Sequence, residues 1–337
     1  MRLFNLLFLK KIIKKSFGIS HLSRRIDDVV VNKVNHHQVR KLENDIKILS
    51  NMVSILCAGR DIRCIKSIEA ELKKLSLQEI TGRDTASYQN KKFIFVCGLH
   101  RSGTSLFTKI LQSHSEVGGF DNSGVIEDEG QFLQTVYAPD SEMGWPGSFG
   151  FSKEAHMTEA SPLSSNKSRD KILSQWSNYW DASKPYLIEK SPPNLLKTRF
   201  LQALFPNSYF IVIRRHPIAT CMATQKWSKS SMRALVKHWF TCYNIWEEDR
   251  EHIHNYLEIK YEDFIANPCD ALEAVSRLCG LDDIEPMKNA AASYSLSSQV
   301  NRKYFEAWDR MKIQKTIIEL TEKNNFKRHG YSVLNDK

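Results

Sequence analysis

The sequence predicts an α/β fold: a parallel β-sheet flanked by helices, with a helical extension in front of it. Three observations predict this. From residue 93 onward, short continuous apolar runs alternate with stretches of helical period, as in a sheet whose strands are buried on both faces. One such run ends at Gly98 and turns through small residues toward a helix. Before residue 88 the apolar pattern has the helical period alone.

The extension divides in two. Residues 1–30 read as a basic N-terminal segment. Residues 1–25 carry Arg2, Lys10, Lys11, Lys14, Lys15, Arg24 and Arg25 and no acid. The apolar patch Leu3 to Leu9 is short, ends at Lys10-Lys11 and precedes no small-residue cleavage site, which argues against a secretory signal. Two readings stay open for it: an amphipathic helix lying on a membrane surface, or a solvated, partly helical tail. Residues 31–88 form the second part. Val39, Leu42, Ile46, Leu49, Val53 and Leu56 recur at spacings of three and four, Cys57-Ala58-Gly59 offers a stop, and Ile65, Ile68, Leu72 and Leu75 resume the pattern. Residues 34–76 are thus a helical hairpin packed on the body, or a short coiled coil that makes a homodimer. The polar stretch 81–90 reads as a linker.

The domain proper is expected over 91–335. Its strand candidates are Phe93 to Cys97, Tyr186 to Glu189, Tyr209 to Ile213 and Tyr256 to Lys260. Helices are expected over Ser105 to Ser113, Asp170 to Tyr179, Leu195 to Leu204, Ala219 to Arg250 with interruptions, Asp270 to Cys279 and Tyr304 to Lys323. Residues 138–168 read as irregular.

Composition bounds the function. The formal net charge of +10 suits an anionic ligand, a nucleic acid or an anionic membrane surface without choosing among them. Seven cysteines with no CxxC pair read as thiols in a reducing compartment. No run reaches the roughly 18 to 20 apolar residues that span a bilayer. The expected location is therefore cytoplasmic, with peripheral membrane contact through residues 1–25 on the first reading of that segment.

The chemistry starts at FVCGLHRSGTSLF, residues 95–107. Gly98, four residues, Gly103 and Thr104-Ser105 nearly make a P-loop, G-x-x-x-x-G-K-[ST], with Thr104 where the lysine belongs. A strand that turns through small residues into a helix aims backbone N–H groups at one point, where the helix terminus adds positive potential. The cation has moved to Arg101, and no acidic residue suited to hold magnesium ends a following strand. Two other strand tips carry cations, Lys190 in LIEKSPPN (187–194) and Arg214-Arg215 in FIVIRRHP (210–217). Ligands of parallel sheets gather at the carboxyl ends of strands. Arg101, Lys190 and Arg215 therefore converge on one rim, which calls for a polyanion without a metal.

Together these segments resemble the sulfotransferases that use 3′-phosphoadenosine 5′-phosphosulfate (PAPS), nearest to the branch with Golgi glycan enzymes and bacterial members. HRSGTSL is similar to the family's 5′-phosphosulfate loop, IRRHP to its 3′-phosphate segment and IEKSPPN to its Glu-Lys-Thr/Ser-Pro element. KYEDFIANP (260–268), DEGQFLQ (128–134) and RHGYS (328–332) are similar to further family segments. The likeness spans roughly 91–333 and none of residues 1–88. It implies a P-loop-type fold and transfer of a sulfuryl group from PAPS to a hydroxyl or amine, with a carboxylate base and no metal. It places Arg101, Ser102, Gly103, Thr104 and Ser105 on the 5′-phosphosulfate and Arg215 on the 3′-phosphate, Arg214 being the alternative arginine. The family serine eight residues beyond that arginine is Ala223 here, so Thr224 is the substitute donor. Lys190 is placed at the bridging oxygen, oriented by Glu189, and Glu129 is the base, with Glu127, Asp128, His100 and His114 as alternatives. Tyr261 is placed near the adenine or 3′-phosphate. Ser298, Asn301 and Lys303 are candidates in the loop that covers the adenine. The acceptor is expected to be a glycan, glycolipid or other small molecule, with a phenol or a peptide tyrosine as the alternative, facing residues 138–168 and 226–235, among them Trp145, Phe149, Phe151, Trp227, Lys229 and Arg233.

Two rivals remain. A P-loop small-molecule kinase meets the objection of Thr104 in the lysine position. A non-enzymatic nucleic-acid binder meets the objection that the basic excess sits in residues 1–25, and no such motif appears; no nucleic-acid partner is expected.

Overall fold

The computed structural model describes residues 85–88, 90–294, 296 and 298–332. The basic segment, the 34–76 hairpin or coiled coil, and all of the linker before residue 85 lie outside the described residues, and with them the homodimer and membrane expectations attached to residues 1–76.

One sheet carries the fold. Strands β1 (Lys92–Gly98), β2 (Val117–Gly119), β3 (Tyr186–Lys190), β4 (Ser208–Arg214) and β5 (Tyr256–Lys260) stand in the order β2-β3-β1-β4-β5. All four pairings are parallel. Four of these strands are the predicted ones. The fifth, β2, holds three residues, two of them glycine, and so displays no apolar period; it pairs Gly119 with Ile188.

Strand alternation splits the core in two. Phe93, Phe95, Cys97, Leu187, Phe210 and Val212 face one layer, packed with Trp176, Trp239 and Trp246. Ile94, Val96, Ile188, Ile211 and Ile213 face the other, packed with Phe107, Phe264 and Val275. The central strands are thus buried on both faces, as their unbroken apolar runs require. Strand β5 differs: it is an edge, with Tyr256, Leu257 and Glu258 half-buried and Lys260 exposed.

The helices are α1 (Thr104–Leu111), α2 (Asn166–Trp176), α3 (Thr198–Leu204), α4 (Pro217–Thr224), α5 (Met232–Asp249), α6 (Tyr261–Ala266), α7 (Pro268–Cys279), α8 (Glu285–Ser293), α9 (Arg302–Asp309) and α10 (Lys312–Arg328). Two expectations are corrected. The helix expected from Leu195 starts at Thr198, because Pro192–Leu196 forms a tighter 3₁₀ turn opened by two prolines. The stretch from Tyr304 is two helices, broken after Asp309. The interruption expected within 219–250 falls between α4 and α5, and Ser231 caps the second through a bond from Ala234 N at 3.3 Å. Helices α6 and α8 were not anticipated. Residues 138–168 are irregular as expected, with short 3₁₀ turns.

Candidate active site

The first component is the turn between β1 and α1. A Cβ on Gly98 would stand 2.6 Å from Ile213 O, so a side chain there would push β4 away. Gly103 has φ 101°, and a Cβ there would stand 2.4 Å from the Tyr261 ring. Glycine lets the loop lie flat on Tyr261, the first residue of α6. Arg101 also lies in the left-handed region, at φ 69°. Ser102 Oγ donates to Leu99 O at 2.6 Å and is buried, so this hydroxyl shapes the loop from inside. Helix α1 has no side-chain cap. Its first turn opens with Thr104 and Ser105 onto a cleft of about 250 Å³. Uncapped first-turn N–H groups and the helix dipole make that end of the cleft an anion cradle.

The second component is the tip of β4. Arg215 is buried, and its Nε and Nη2 donate to Asn301 Oδ1 at 3.0 and 2.7 Å. Nη1 donates to Arg101 O at 2.8 Å. The guanidinium lies 4.5 Å from the Tyr261 ring and 5.3 Å from the Tyr304 ring. Burial lowers its pKa from the usual guanidinium value, while the neighbouring tyrosines and Glu262 act the other way. Asn301 is fixed in turn: its Nδ2 donates to Glu262 Oε1 at 2.6 Å. Arg214 goes elsewhere. It shares a strand face with Phe210 and Val212, and its Nη2 donates to Glu247 at 2.6 Å and Glu258 at 2.9 Å. Between the two arginines, the geometry gives Arg215 to the cleft.

The third component joins the tip of β3 to the turn 126–132. Lys190 Nζ lies 3.1 Å from Glu129 Oε1, and both side chains are buried. Gln131 Nε2 donates to the other Glu129 oxygen at 2.6 Å. Glu129 lines the cleft. Lys190 lines an adjoining cavity of about 80 Å³, which meets the cleft at Ser105 and Glu127. Lys190 thus reaches the cleft through its partner, where the sequence had placed all three cations on one rim. Glu127 and Asp128 hold φ of 53° and 51°; Glu127 accepts from Ser105 Oγ at 3.0 Å, and Asp128 accepts from Ser123 N at 2.7 Å.

Glu189 has no bond to Lys190, which corrects the orienting role expected of it. Alternation puts its side chain on the opposite face of β3, where it accepts from Gly130 N at 2.9 Å, Ser191 Oγ at 2.5 Å and Asn194 Nδ2 at 2.5 Å. It ties the Glu129 turn to the residues after β3. Burial pushes its pKa up to about 7, with the charge of Glu129 adding to the rise and the Ser191 and Gly130 bonds opposing it.

The remaining candidates separate. Thr224 lines the cleft, but its hydroxyl donates to Thr220 O at 2.8 Å, which spends its proton inside α4. Lys303 is exposed, its Nζ 5.1 Å from the Tyr304 ring that also faces Arg215. Ser298 opens the 3₁₀ turn that ends at Asn301, and its side chain lies outside the described residues. His114 is remote: both ring nitrogens serve the backbone, at Asp282 O and Glu116 N. His100 lines the cleft, and its Nε2 lies 3.0 Å from the buried carboxylate of Asp140. Trp145 and Trp227 line the cleft; Phe149 is buried behind His100, at 5.8 Å between rings. Arg101 stacks 5.0 Å from the Trp227 ring.

Asp140, Gln131 and Glu262 were missed. Asp140 is distant in sequence from His100, and nothing in the pattern links them. Glu262 lay inside the quoted KYEDF segment. Among the described residues, no three His, Cys, Asp or Glu side chains converge as a metal-binding group.

The fold and cleft define an α/β protein with a phosphate-type loop at the carboxyl edge of a parallel sheet. Residues 94–286 match the pattern described as the Sulfotransferase family. The chain belongs to that family and is a sulfotransferase enzyme. Sulfotransferase STF1 from Mycobacterium tuberculosis H37Rv is a similar solved structure, 15% identical with a TM-score of 0.44 over 88% of this chain and 97% of that one. The sulfotransferase domain of the Synechococcus PCC 7002 olefin synthase is 19% identical, with a TM-score of 0.43 over 64% and 87%. Sulfotransferase STF9 from Mycobacterium avium is 11% identical, with a TM-score of 0.41 over 89% and 94%. No curated relative matches the chain. Among the described residues, no helix is long and apolar enough to cross a membrane.

Proposed function

We propose that the protein transfers a sulfuryl group from PAPS to a hydroxyl or amine of a small acceptor such as a glycan or glycolipid. The observation that carries this reading is the pairing of two anion sites across one cleft. The uncapped start of α1 stands at one end, and the buried guanidinium of Arg215, braced by Asn301 and Tyr261, stands beside it. PAPS presents a 5′-phosphosulfate and a separate 3′-phosphate, so it asks for two such sites. The flat glycine turn over Tyr261 supports the fit, because a Cβ on Gly103 would collide with the Tyr261 ring and lift the loop away from it.

The residues then divide the work. Arg101 and the α1 N–H groups hold the phosphosulfate, and Arg215 holds the 3′-phosphate by a fork of donors. As an acceptor oxygen bonds to sulfur, the bond from sulfur to the phosphate oxygen breaks, and that oxygen gains charge. Lys190 is the cation next to the cleft that can meet this charge, which grows only in the transition state. The acceptor proton goes to Glu129, whose carboxylate is freed as Lys190 turns away. Adenosine 3′,5′-bisphosphate leaves. Thr224 cannot replace the family serine as a donor while it serves Thr220 O, so Asn301 and Tyr304 are better placed to support Arg215.

A second reading of the base has one observation in its favour: His100 lines the same cleft and lies against Asp140. The whole reading is tested by incubating the protein with sulfur-labelled PAPS and a cell extract. Label should move to a small-molecule fraction, and the Glu129→Gln protein should leave it on the donor. Transfer of terminal phosphate from labelled ATP, with none from PAPS, would overturn it.

A further inference from the structure

Helix α10 (Lys312–Arg328) is held to the body by Ile318 and Phe326, both buried. Its outer face is unusual. Ile313 is 79% exposed, Ile317 41% and Leu320 81%. These positions are i, i+4 and i+7, so they form one stripe. Lys312, Lys323, Lys327 and Arg328 are exposed around that stripe. Lys315 is occupied by Asp309 at 2.6 Å and is not counted. Against these four cations the helix carries two acids, Glu319 and Glu322, both half-buried, and Glu322 accepts from Asn325 at 2.7 Å, so the outer face keeps a positive excess.

A stripe of three aliphatic side chains in water is unfavourable unless something covers it. A protein partner would be expected to meet the four cations with acids. A bilayer surface supplies both halves at once, since acyl chains take the aliphatic side chains and anionic headgroups take the cations. The helix is about 25 Å long at 1.5 Å per residue, enough to lie flat on that surface. We propose that the outer face of α10 is a membrane-docking surface that binds anionic lipid headgroups and holds the enzyme at a bilayer interface. This surface is made of α10 residues alone and does not depend on which donor the cleft takes.

The test is sedimentation of the full chain with vesicles of phosphatidylcholine alone and of phosphatidylcholine mixed with phosphatidylglycerol. Two variants are compared: Ile313→Ser with Ile317→Ser and Leu320→Ser, and Lys323→Gln with Lys327→Gln. All five positions are solvent-exposed, so both proteins should fold, and circular dichroism checks that. The parent should bind mixed vesicles and leave neutral ones. The serine variant should lose at least about tenfold in partitioning. The glutamine pair should lose about fivefold per lysine, roughly twenty-fivefold together. The proposal is overturned if the parent ignores anionic vesicles or binds neutral ones equally. It is overturned too if either variant binds like the parent, because the contact then runs through another segment such as residues 1–25. A later elution of the serine variant on gel filtration would mean that the stripe joins two copies, which also overturns it.

Discussion

Glu129 and Lys190 neutralise each other across 3.1 Å in a buried setting. Neither charge could be left there alone at low cost, since removing one partner of a buried pair strands the other. The same contact makes the pair useful to the proposed reaction, because each member is released when a ligand takes its partner. His100 with Asp140 is the competing arrangement on the same cleft. Glu129→Gln keeps the shape and the Gln131 contact but cannot take a proton, so turnover should fall at least about a hundredfold. His100→Asn should stay within about tenfold of the parent. The two variants are measured as kcat in one assay, with donor binding as the control. Collapse of His100→Asn beside an active Glu129→Gln would move the base to the His100–Asp140 pair.

At the scale of the element, the tips of β3 and β4 show how alternation sorts charge. Lys190 and Arg215 end near the cleft, while Glu189 and Arg214 point into the aromatic layer. Glu189 carries a pH signature there. Its pKa is about 7 in the fold, raised mainly by burial, against about 4.5 for the free group. The folded state therefore binds the extra proton between those values, and its stability contribution is full below about 4.5 and lost as pH rises through about 7. Glu189→Gln removes this slope. Its amide can face Asn194, whose Oδ1 is buried without a partner and can turn to accept from it. Melting temperatures of variant and parent, taken from pH 4.5 to 8, should show the difference moving in favour of the variant as pH rises. A difference that stays constant would place the titration elsewhere.

Across the molecule, the sheet and its loop were readable because burial on both faces leaves unbroken apolar runs, and because a strand–Gly–helix turn has a fixed spacing. The parity of Phe210, Val212 and Arg214 also held the answer to which arginine enters the cleft. Other features left no trace of that kind. Strand β2 is three residues with two glycines, and the contact of His100 with Asp140 joins parts of the chain that only the fold brings together. The resemblance to PAPS enzymes put Asn301 near the cleft, and the structure supplies its partner, Glu262.

The central claim is that the cleft takes PAPS through two anion sites, and thermal melting with its product adenosine 3′,5′-bisphosphate tests it most directly. A ligand that binds only the native state raises the melting temperature. Without added metal, a saturating amount should raise that of the parent by about 5 °C or more. Arg215→Ala should lose most of the shift, and Lys190→Ala should keep most of it relative to its own baseline, because Lys190 is assigned to charge that develops only during transfer. No shift with the bisphosphate, alongside a clear one with ATP and magnesium, would contradict the account.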